Sequence, residues 1–454
     1  MMRRLGSPRR SAVSVALVLV SLLVSLAPMR ATAQRVLTAD SLTFERATKL
    51  LLENNPQLRA ARAEAQARGR SAKAGSLFPN PSLQVSEERT DLPGGVDDQW
   101  YTSISQLLRY PGEHRAQARS ADRVQDAAAA AVEEERARLF NVLRHRYLDV
   151  VAARARVERL RSFATSIRDA ADAAQARFEE GDLGTFERAR MQVARAEIEN
   201  DLSEAERRLR DARIELAYLL LPDSRAVLDT VQALGDLGVR GSMAYRAVSV
   251  EEEAALDVAM TRRPAVRAAR SVAEARGADL DAARYRRYPS VSISAGPKRQ
   301  SLPTSTTYGY TAGVSIGLPV WNGGQAAVEA EQGRRTAAQA EVEATRRRVE
   351  VEVHDAIERL DSYRERMQTI SRQVLAGTDS LAPDARFVYR QGEINLFELL
   401  DAVDAAQRAA LLRIDLIENY LRALYDLERA IGVGPDDAPL VIEGALNPRP
   451  GGLE

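Results

Sequence analysis

A long internal duplication constrains the fold of this chain more than any other feature of its sequence. The segment Asn-Pro-Gln-Leu-Arg-Ala-Ala-Arg at residues 55–62 returns at residues 263–270 as Arg-Pro-Ala-Val-Arg-Ala-Ala-Arg, an offset of 208 residues. A chain of 454 residues would ordinarily suggest about three domains of average size. The duplication instead predicts two copies of one structural unit.

Matches at proline, glycine and aromatic positions keep the two copies in register. Two further pairs share the offset of 208: Ala67-Arg68-Gly69 with Ala275-Arg276-Gly277, and Pro81-Ser82 with Pro289-Ser290. Three later pairs share an offset of 211: Tyr110-Pro111-Gly112 with Trp321-Asn322-Gly323, Phe178-x-x-Gly181 with Tyr389-x-x-Gly392, and Phe186-Glu187 with Phe397-Glu398. Chance similarity between alanine-rich helices does not explain this order, because these residues lie outside the repetitive composition.

Each copy is predicted to contain a helix, a β-hairpin and a long helical hairpin. The first copy spans residues 34–221, with its β-hairpin at 82–109 and its helical hairpin at 113–220. The second spans residues 250–431, with its β-hairpin at 289–320 and its helical hairpin at 325–431. The opening helices are predicted from Leu42 to about Gly75 and from Val250 to about Arg286. Residues 222–249 form a predicted connecting segment, and residues 432–454 a C-terminal tail.

The clearest predicted strand runs from Tyr308 to Val320. Its alternate residues are apolar, and the residues between them are small or polar, which is typical of a strand with one apolar face. The apolar positions are Tyr308, Tyr310, Ala312, Val314, Ile316, Leu318 and Val320. The predicted partner strand covers residues 290–295, with turn-rich sequence at 296–307. In the first copy, residues 82–86 and 100–108 flank a loop at 91–95 and alternate poorly.

The helical hairpins carry coiled-coil patterns. Residues 113–178 contain no glycine or proline, and 66 residues in a helix would extend roughly 100 Å. Apolar residues recur there every seven positions, and later helices follow a four-three spacing. These seams are Leu143, Val150, Val157, Ala164, Ala171 and Phe178; Ile198, Leu202, Ala205, Leu209, Ala212, Leu216 and Leu219; and Leu396, Leu399, Val403, Ala406, Ala410, Ile417, Tyr420, Leu424, Leu427 and Ile431. The only predicted reversals are Gly181-Asp182-Leu183-Gly184 and Gln391-Gly392-Glu393.

The first 33 residues have the pattern of a cleaved signal peptide. Four arginines precede an apolar run from Ala12 to Leu26, and Ala31-Thr32-Ala33 is a suitable cleavage site, so the mature chain is expected to begin near Gln34. An uncleaved anchor is the alternative, but this run is shorter than the roughly 20 residues that a spanning helix needs. No apolar run of 18 residues follows. A mature chain that crosses a membrane must therefore do so as β-strands.

Composition excludes several classes of function. The absence of cysteine excludes disulfides, thiolate metal sites, thiol catalysis and an N-terminal lipid on cysteine. The 64 basic and 64 acidic residues become 59 and 64 without the first 33 residues, so we expect no nucleic-acid partner. Phosphate-binding loops, dinucleotide fingerprints and His-Glu-x-x-His motifs are missing, so we expect neither an enzyme nor a cofactor. The histidines, His114, His145 and His354, have no metal-ligand spacing.

In their duplicated order, these features resemble the outer membrane efflux protein family, the TolC-like channels, over nearly the whole mature chain. The matching motifs are Leu42-x-x-Glu45-x-Ala47 with Asn55-Pro56, Pro79-Asn80-Pro81-Ser82-Leu83, Gln106-Leu107-Leu108-x-Tyr110-Pro111-Gly112, Phe178-x-x-Gly181-Asp182-Leu183, and residues 389–402 from Tyr389 to Ala402. Four strands cannot close a barrel in lipid, so spanning strands would also require oligomerisation.

The resemblance implies a mainly α fold with membrane β-structure and a defined assembly. Three chains with four strands each would form a 12-stranded outer membrane β-barrel, continued by a long periplasmic α-helical barrel. Such a homotrimer is a passive duct, docked to an inner membrane pump through a periplasmic adaptor. The short first hairpin and the Pro79-Asn80-Pro81 turn are most similar to the subgroup that serves heavy-metal efflux pumps. A periplasmic adaptor or a structural coiled-coil protein is the alternative, although neither explains the duplicated hairpins.

The resemblance also implies where the site residues lie. The two reversals would form the periplasmic tip that contacts the adaptor, with residues Gly181, Asp182, Leu183, Gly184, Gly392, Glu393 and Ile394. Acidic rings would line the pore constriction at Glu398 and Asp401, which share a helix face because they are three residues apart. Glu187 occupies the place of Glu398 in the first copy. Ordinary solvated acids are the alternative, and for Glu187 a salt bridge with Arg188 or Arg190.

Overall fold

A computed structural model of the protein describes residues 42–436, except 94, 222–240, 242 and 371–377. The predicted signal peptide, most of the predicted connecting segment and the tail beyond residue 436 lie outside the described residues. Each half of the chain contains the same order of elements: two short helices, a β-hairpin, and long helices that form a helical hairpin.

The first half contains α1 (Phe44–Asn54), α2 (Pro56–Ser76), β1 (Ser82–Leu92), β2 (Gly95–Leu108), α3 (Pro111–Glu179) and α4 (Thr185–Leu220). The second half contains α5 (Glu252–Arg262), α6 (Pro264–Tyr285), β3 (Ser290–Leu302), β4 (Ser305–Gly317), α7 (Gln325–Ile370), α8 (Thr378–Arg390) and α9 (Leu396–Ala430). In the described part of the chain, no helix is both long and apolar enough to cross a bilayer.

The prediction of one continuous opening helix in each half was wrong. The first breaks at Asn55, which has an extended backbone with ψ 124°. Proline at the next position disfavours a helical conformation in the residue before it, and it suits the first turn of a new helix. The Asn55 side chain caps that helix, accepting hydrogen bonds from the N–H groups of Gln57 at 2.9 Å and Leu58 at 3.1 Å. Arg263 precedes Pro264 at the equivalent break.

These two break residues also attach the short helices to the end of the last helix in each half. Asn55 Nδ2 donates to the carbonyl oxygen of Leu219, at the end of α4, over 3.1 Å. Arg263 Nη1 donates to the carbonyl oxygens of Arg429 at 2.8 Å and Ala430 at 3.0 Å, at the end of α9. The two repeats therefore keep the same connection although the residue type differs, and both side chains donate to carbonyls in the last turn of a helix.

The four strands form one antiparallel sheet in the order β1-β2-β3-β4. The two hairpins lie within the predicted bounds, but their turns are shorter than predicted: β3 pairs with β4 as far as Leu302 opposite Ser305, so most of the expected turn-rich segment is strand. The prediction that the last strand reaches Val320 was wrong, because β4 ends at Gly317, two residues before Pro319, which lacks a donor for the ladder. Backbone pairing does not require alternating hydrophobicity, and it continues where the side-chain pattern fades. The β2–β3 pairing skips Gly296 and Pro297, opposite Ser103 and Thr102, because proline lacks a donor for the ladder.

The helices pack around α3, a helix of 69 residues. This helix contacts α2, α4, α6 and α9. The predicted seam along α3 is confirmed, since Leu143, Val150 and Val157 are buried in the main core. The seam of α9 is confirmed as well: its tip-proximal residues join that core, and Tyr420, Leu424 and Leu427 join a second cluster with α5 and α7.

Candidate functional site

One face of the sheet is apolar and exposed on all four strands. On β4, Tyr310 is 85% and Val314 67% exposed, as the alternation predicted. The register brings further apolar residues to the same face, because Leu83 lies opposite Ile104 and Ile104 opposite Ala295. The first hairpin therefore contributes to this face despite its weak alternation. A contiguous exposed apolar surface of this kind is typical of an interaction or membrane-facing surface.

The sheet is also open at both edges. Within the described residues, β1 pairs only with β2, and β4 only with β3. The outer backbone groups of β1 and β4 therefore lack partners in a single chain. Such edges are unfavourable in lipid, where each unpaired N–H or C=O costs several kcal/mol.

The two predicted reversals have the same backbone geometry. Gly181 has φ +87° and Gly392 has φ +76°, a region that glycine enters without a steric penalty. After α3, the N–H of Asp182 donates to the carbonyl of Arg177 at 2.8 Å. After α8, the N–H of Glu393 donates to the carbonyl of Val388 at 3.2 Å. Both helices thus end in the glycine motif that satisfies terminal carbonyls, as the sequence predicted.

The structure places these two tip turns side by side. The rings of Phe186 and Phe397, equivalent residues of the two repeats, have centroids 6.0 Å apart. Arg177 Nη1 lies 3.4 Å from the Tyr389 hydroxyl oxygen across the same junction. Leu183 is buried and Ile394 packs against the core, whereas the charged turn residues Asp182 and Glu393 are exposed. The tip therefore presents charge to solvent and anchors each turn with one apolar side chain.

The acidic residue Glu398 has a structural partner at the tip. Its Oε2 accepts a hydrogen bond from the N–H of Asn395 at 2.8 Å, while Asn395 Oδ1 accepts from the N–H of Glu398 at 3.0 Å. This reciprocal arrangement is a capping box. Sequence reasoning missed Asn395, although the spacing Asn-x-x-Glu before an apolar seam signals such a cap. Asp401 is exposed on the same face of α9.

Glu187 makes half of the same arrangement. Its Oε2 accepts from the N–H of Gly184 at 3.0 Å, but the glycine has no side chain to return a bond. The suggested salt bridges do not form: the Arg188 guanidinium stacks on Phe178 at 4.1 Å, and Arg190 lies 3.9 Å from Glu197. In both repeats, the helix after the tip therefore has a glutamate in its first turn that accepts a hydrogen bond from the backbone.

A polar layer joins α3 to α9 farther from the tip. His145 Nε2 lies 2.9 Å from Asp426 Oδ1, and Asn141 Nδ2 donates to the same oxygen at 3.1 Å. Burial raises the pKa of Asp426, but these hydrogen bonds from His145 and Asn141 outweigh burial and hold that pKa below its ordinary value. Nearby, Arg144 and Glu428 form an ion pair of 2.7 Å that is almost fully buried.

No part of the described structure gathers three or more His, Cys, Asp or Glu side chains in a metal-binding arrangement. The candidate sites are two surfaces, the apolar sheet face with its open edges and the paired tip turns.

The sequence pattern of one protein family, described as outer membrane efflux protein, matches residues 47–220 and again residues 255–433, well over half of the chain. The chain belongs to the outer membrane efflux protein family. The two matched segments begin at residues 47 and 255, which are 208 apart, the same offset as the duplication. The predicted function, the outer membrane channel component of an efflux system, is confirmed, and the adaptor alternative is wrong.

Known relatives of this efflux protein cover most of its length. The cobalt-zinc-cadmium resistance protein CzcC of Cupriavidus metallidurans is 24% identical over 87% of this chain and 91% of its own. The CmeC outer membrane channel of Campylobacter jejuni has a TM-score of 0.67 at 17% identity, covering 86% of this chain and 85% of its own. CusC, whose crystal structures concern transmembrane channel formation, has a TM-score of 0.67 at 18% identity, covering 86% and 92%. The predicted TolC-like fold class is confirmed.

Proposed function

We propose that this efflux protein acts as a homotrimer whose sheets close into a 12-stranded outer membrane barrel above a periplasmic helical tube. The observation that carries the proposal is the four-stranded sheet with an exposed apolar face and two open edges. Lipid requires every backbone group to be paired, and four strands are too few to close. Three copies satisfy both conditions. Cleavage of a signal peptide near Gln34 would accompany export.

The channel would serve as the passive outer duct of a tripartite system. The partners are a periplasmic adaptor and an inner membrane pump, with the adaptor bound at the tip formed by residues 181–184 and 392–394. The exposed charges of Asp182 and Glu393 support this placement. Replacing Glu393 with Arg changes the tip charge and leaves Gly392 intact. We expect this change to abolish efflux and leave trimer assembly unchanged, and a loss of the trimer would indicate a structural role instead.

Heavy-metal ions are the proposed cargo class. The supporting observation is the similarity to a protein named for cobalt, zinc and cadmium resistance. Deletion of this channel should sensitise cells to these divalent ions, measured as growth inhibition, and the full chain should restore resistance. Sensitivity to organic drugs alone would contradict the metal assignment and retain the channel.

The proposed pore constriction contains Asp401 and Glu398, with Glu187 as a weaker candidate. Asp401 is exposed, and its side chain makes no hydrogen bond or ion pair with another described residue, so its charge is free to act on ions. The Glu398 carboxylate also caps α9, so its replacement affects structure as well as charge. Asp401→Asn should therefore reduce cation selectivity in planar bilayers without disturbing the helix cap, whereas Glu398→Gln changes both the charge and the cap. Unchanged selectivity in both variants would reject the assignment.

A single preparation tests the function as a whole. Protein extracted from outer membranes in mild detergent should migrate as a trimer on unheated gels, become a monomer on heating, and form ion-conducting pores in planar bilayers. A monomeric protein in the soluble periplasmic fraction would overturn the proposal.

A further inference from the structure

A cleft between α3 and α6 opens next to the end of the sheet and has a volume of about 520 Å³. Its charged lining residues are Arg115, Arg119, Asp281 and Arg284, and Tyr285 and Tyr288 line the end nearer to the sheet. These residues belong neither to the apolar sheet face nor to the tip turns. The proposed function therefore leaves the cleft without a role.

Positive charge exceeds negative charge in this cleft, because three arginines and one aspartate line it. Asp281 pairs with both Arg119 at 3.2 Å and Arg284 at 3.4 Å. The Arg115 side chain is exposed and makes no hydrogen bond or ion pair with another described residue. One carboxylate shared by two guanidinium groups leaves most of their N–H donors free. Free guanidinium donors with excess positive charge suit a phosphate group.

Tyrosine rings occupy the end of the cleft next to the sheet. The centroid of the Tyr288 ring lies 5.6 Å from that of Tyr110 and 6.4 Å from that of Tyr285. The Tyr110 hydroxyl donates to the carbonyl oxygen of Pro289 at 2.7 Å. Tyr285 packs against Gly112, where a Cβ atom would collide with its ring. Tyrosine is enriched where a protein surface passes from lipid tails to lipid headgroups.

In the proposed barrel, the strands place the cleft at the depth of the headgroups. They contain 11 to 14 residues. Tilted by about 40°, they would span roughly 28–36 Å, close to the thickness of the hydrocarbon core. Arg115 lies roughly 6 Å along α3 from the first residue of that helix, within a headgroup layer of about 5–8 Å.

Helical geometry places the cleft on a defined side of the α3–α6 contact. Glu113 of α3 pairs with Arg286 of α6 at 3.2 Å. Arg115 and Arg284 each lie two residues from a member of this pair, and two residues correspond to about 200° around a helix. The cleft arginines therefore lie on the side opposite to the Glu113–Arg286 pair.

That opposite side is the more crowded of the two. The Glu113 side chain is 14% exposed. Ser120, on the same side of α3, is 7% exposed and donates to Asp279 at 2.6 Å. On the cleft side, Arg115 is exposed and the Arg119 side chain is 64% exposed. Side chains crowd together on the concave side of a curved layer of helices, so the cleft lies on the convex side, which is the outside of a closed tube.

The duplication does not repeat this charge. Equivalent positions of the other copy are Ala326 for Arg115, Ala330 for Arg119 and Ser76 for Arg284, at the offsets of 211 and 208. The fold of the repeat therefore does not require arginine at these positions, and the charge is specific to the cleft between α3 and α6.

We propose that this cleft binds the phosphate headgroup of an anionic phospholipid in the periplasmic leaflet of the outer membrane. Arg115 and Arg284 donate to the phosphate oxygens, Arg119 adds positive charge, and the acyl chains extend past Tyr288 along the apolar sheet face. The site rests on the proposed function, because only a membrane-inserted barrel brings lipid to the cleft.

Native mass spectrometry of the full chain, extracted from outer membranes in mild detergent, tests the site. Titrated with phosphatidylglycerol, the trimer should retain one lipid per chain and bind it more tightly than phosphatidylcholine with the same acyl chains. Arg115→Ala with Arg284→Ala should weaken phosphatidylglycerol binding about 25-fold, since each arginine near an anionic lipid contributes about fivefold. Phosphatidylcholine binding should not change.

The matched control is Arg159→Ala with Arg210→Ala, which removes two exposed arginines from parts of α3 and α4 remote from the sheet. This control should bind phosphatidylglycerol as the parent does. Equal phosphatidylglycerol affinity in the parent and the cleft variant would overturn the site. Displacement of the lipid by an equal concentration of inorganic phosphate would indicate a free-anion site and overturn the lipid assignment.

Unheated gels and planar bilayers, applied to the same samples, separate this site from the proposed function. A trimer that conducts ions but shows no preference for phosphatidylglycerol overturns the lipid site and leaves the channel intact. Absence of a trimer in the parent chain overturns the proposed function and the lipid site together.

Discussion

At the residue scale, equivalent positions of the two tips differ in how completely they cap their helices. Asn395 and Glu398 exchange two hydrogen bonds at the start of α9, whereas Gly184 and Glu187 exchange one at the start of α4. A side-chain cap typically contributes about 1 kcal/mol to helix stability. The second tip is therefore the better fixed of the two, and two of the three acids that were assigned to the pore, Glu398 and Glu187, also bond to the backbone.

Replacing Asn395 with Ala should destabilise the first turn of α9 by about 1 kcal/mol, because the N–H of Glu398 loses its acceptor. Amide hydrogen exchange in residues 396–399 should accelerate about fivefold, the factor that corresponds to that energy. Gly184→Asn is the matched control in the other repeat and should slow exchange at the start of α4. Equal exchange in the parent and both variants would contradict the capping assignment.

Asp426 should make the α3–α9 contact sensitive to acid. Its pKa lies below the ordinary value of 3.8 in the folded protein, so its contribution is complete above about pH 4 and is lost as pH falls through the lower folded pKa. Asp426→Asn should reduce the fall in thermal stability below pH 4, measured by far-UV circular dichroism. Glu204→Gln is the control, since surface arginines Arg207 and Arg208 lower the pKa of Glu204 to about 2 and exposed pairs contribute little.

At the element scale, α3 and α9 are joined by charge as well as by apolar seams. Arg144 is stacked 4.3 Å above the Phe140 ring and pairs with Glu428, whose side chain is 1% exposed. Burial lowers the pKa of Arg144, and the attraction of Glu428 opposes that shift. A buried pair of this kind is costly to break and adds little net stability over apolar residues. We expect its consequence to be specificity in how the two helices align.

Arg144→Met alone should destabilise the protein by about 3–5 kcal/mol, because it leaves the Glu428 carboxylate buried without the guanidinium. Arg144→Met combined with Glu428→Leu should recover most of that loss. Denaturant unfolding followed by circular dichroism measures both variants. A double variant as unstable as the single one would show that the pair contributes more than mutual charge compensation.

At the scale of the whole molecule, the protein consists of two copies of one structural unit. Each copy packs against the other on one side and leaves its other side open. The internal β2–β3 and α3–α6 contacts are complete, while the sheet and helices at both ends are open. The exposed apolar face runs across both repeats. Stability of the sheet therefore depends on what covers its apolar face and its two open edges, which in the proposed trimer are lipid and the strands of further copies.

Val314→Arg tests that dependence, because Val314 lies on the apolar face in the second half of β4 and is 67% exposed. An arginine on a lipid face costs about 2–4 kcal/mol at the membrane midplane, so insertion into lipid vesicles and the heat-sensitive trimer should both decrease. Ser315→Arg, the next residue on the opposite face, is the matched control and should insert normally. Equal insertion of the two variants would contradict the assignment of the faces.

The sequence by itself determined the repeat, the element order, the long α3 helix, the β4 strand and both glycine reversals. These depend on local rules, such as strand alternation, heptad spacing and the backbone freedom of glycine, which act over a few residues. The helix breaks at Asn55 and Arg263 also have a local cause, the proline that follows each of them. They were not predicted, because the apolar pattern continues across both breaks.

Only the tertiary structure decided how the repeats meet. The full length of both hairpins depends on backbone pairing between strands, and the commitment of Glu398 to a cap depends on the conformation of Asn395. The contacts of Arg263 with the end of α9 and of Arg144 with Glu428 join residues more than 160 positions apart. Contacts between distant parts of the chain depend on how preformed elements pack, and a local pattern carries no information about which partner lies opposite.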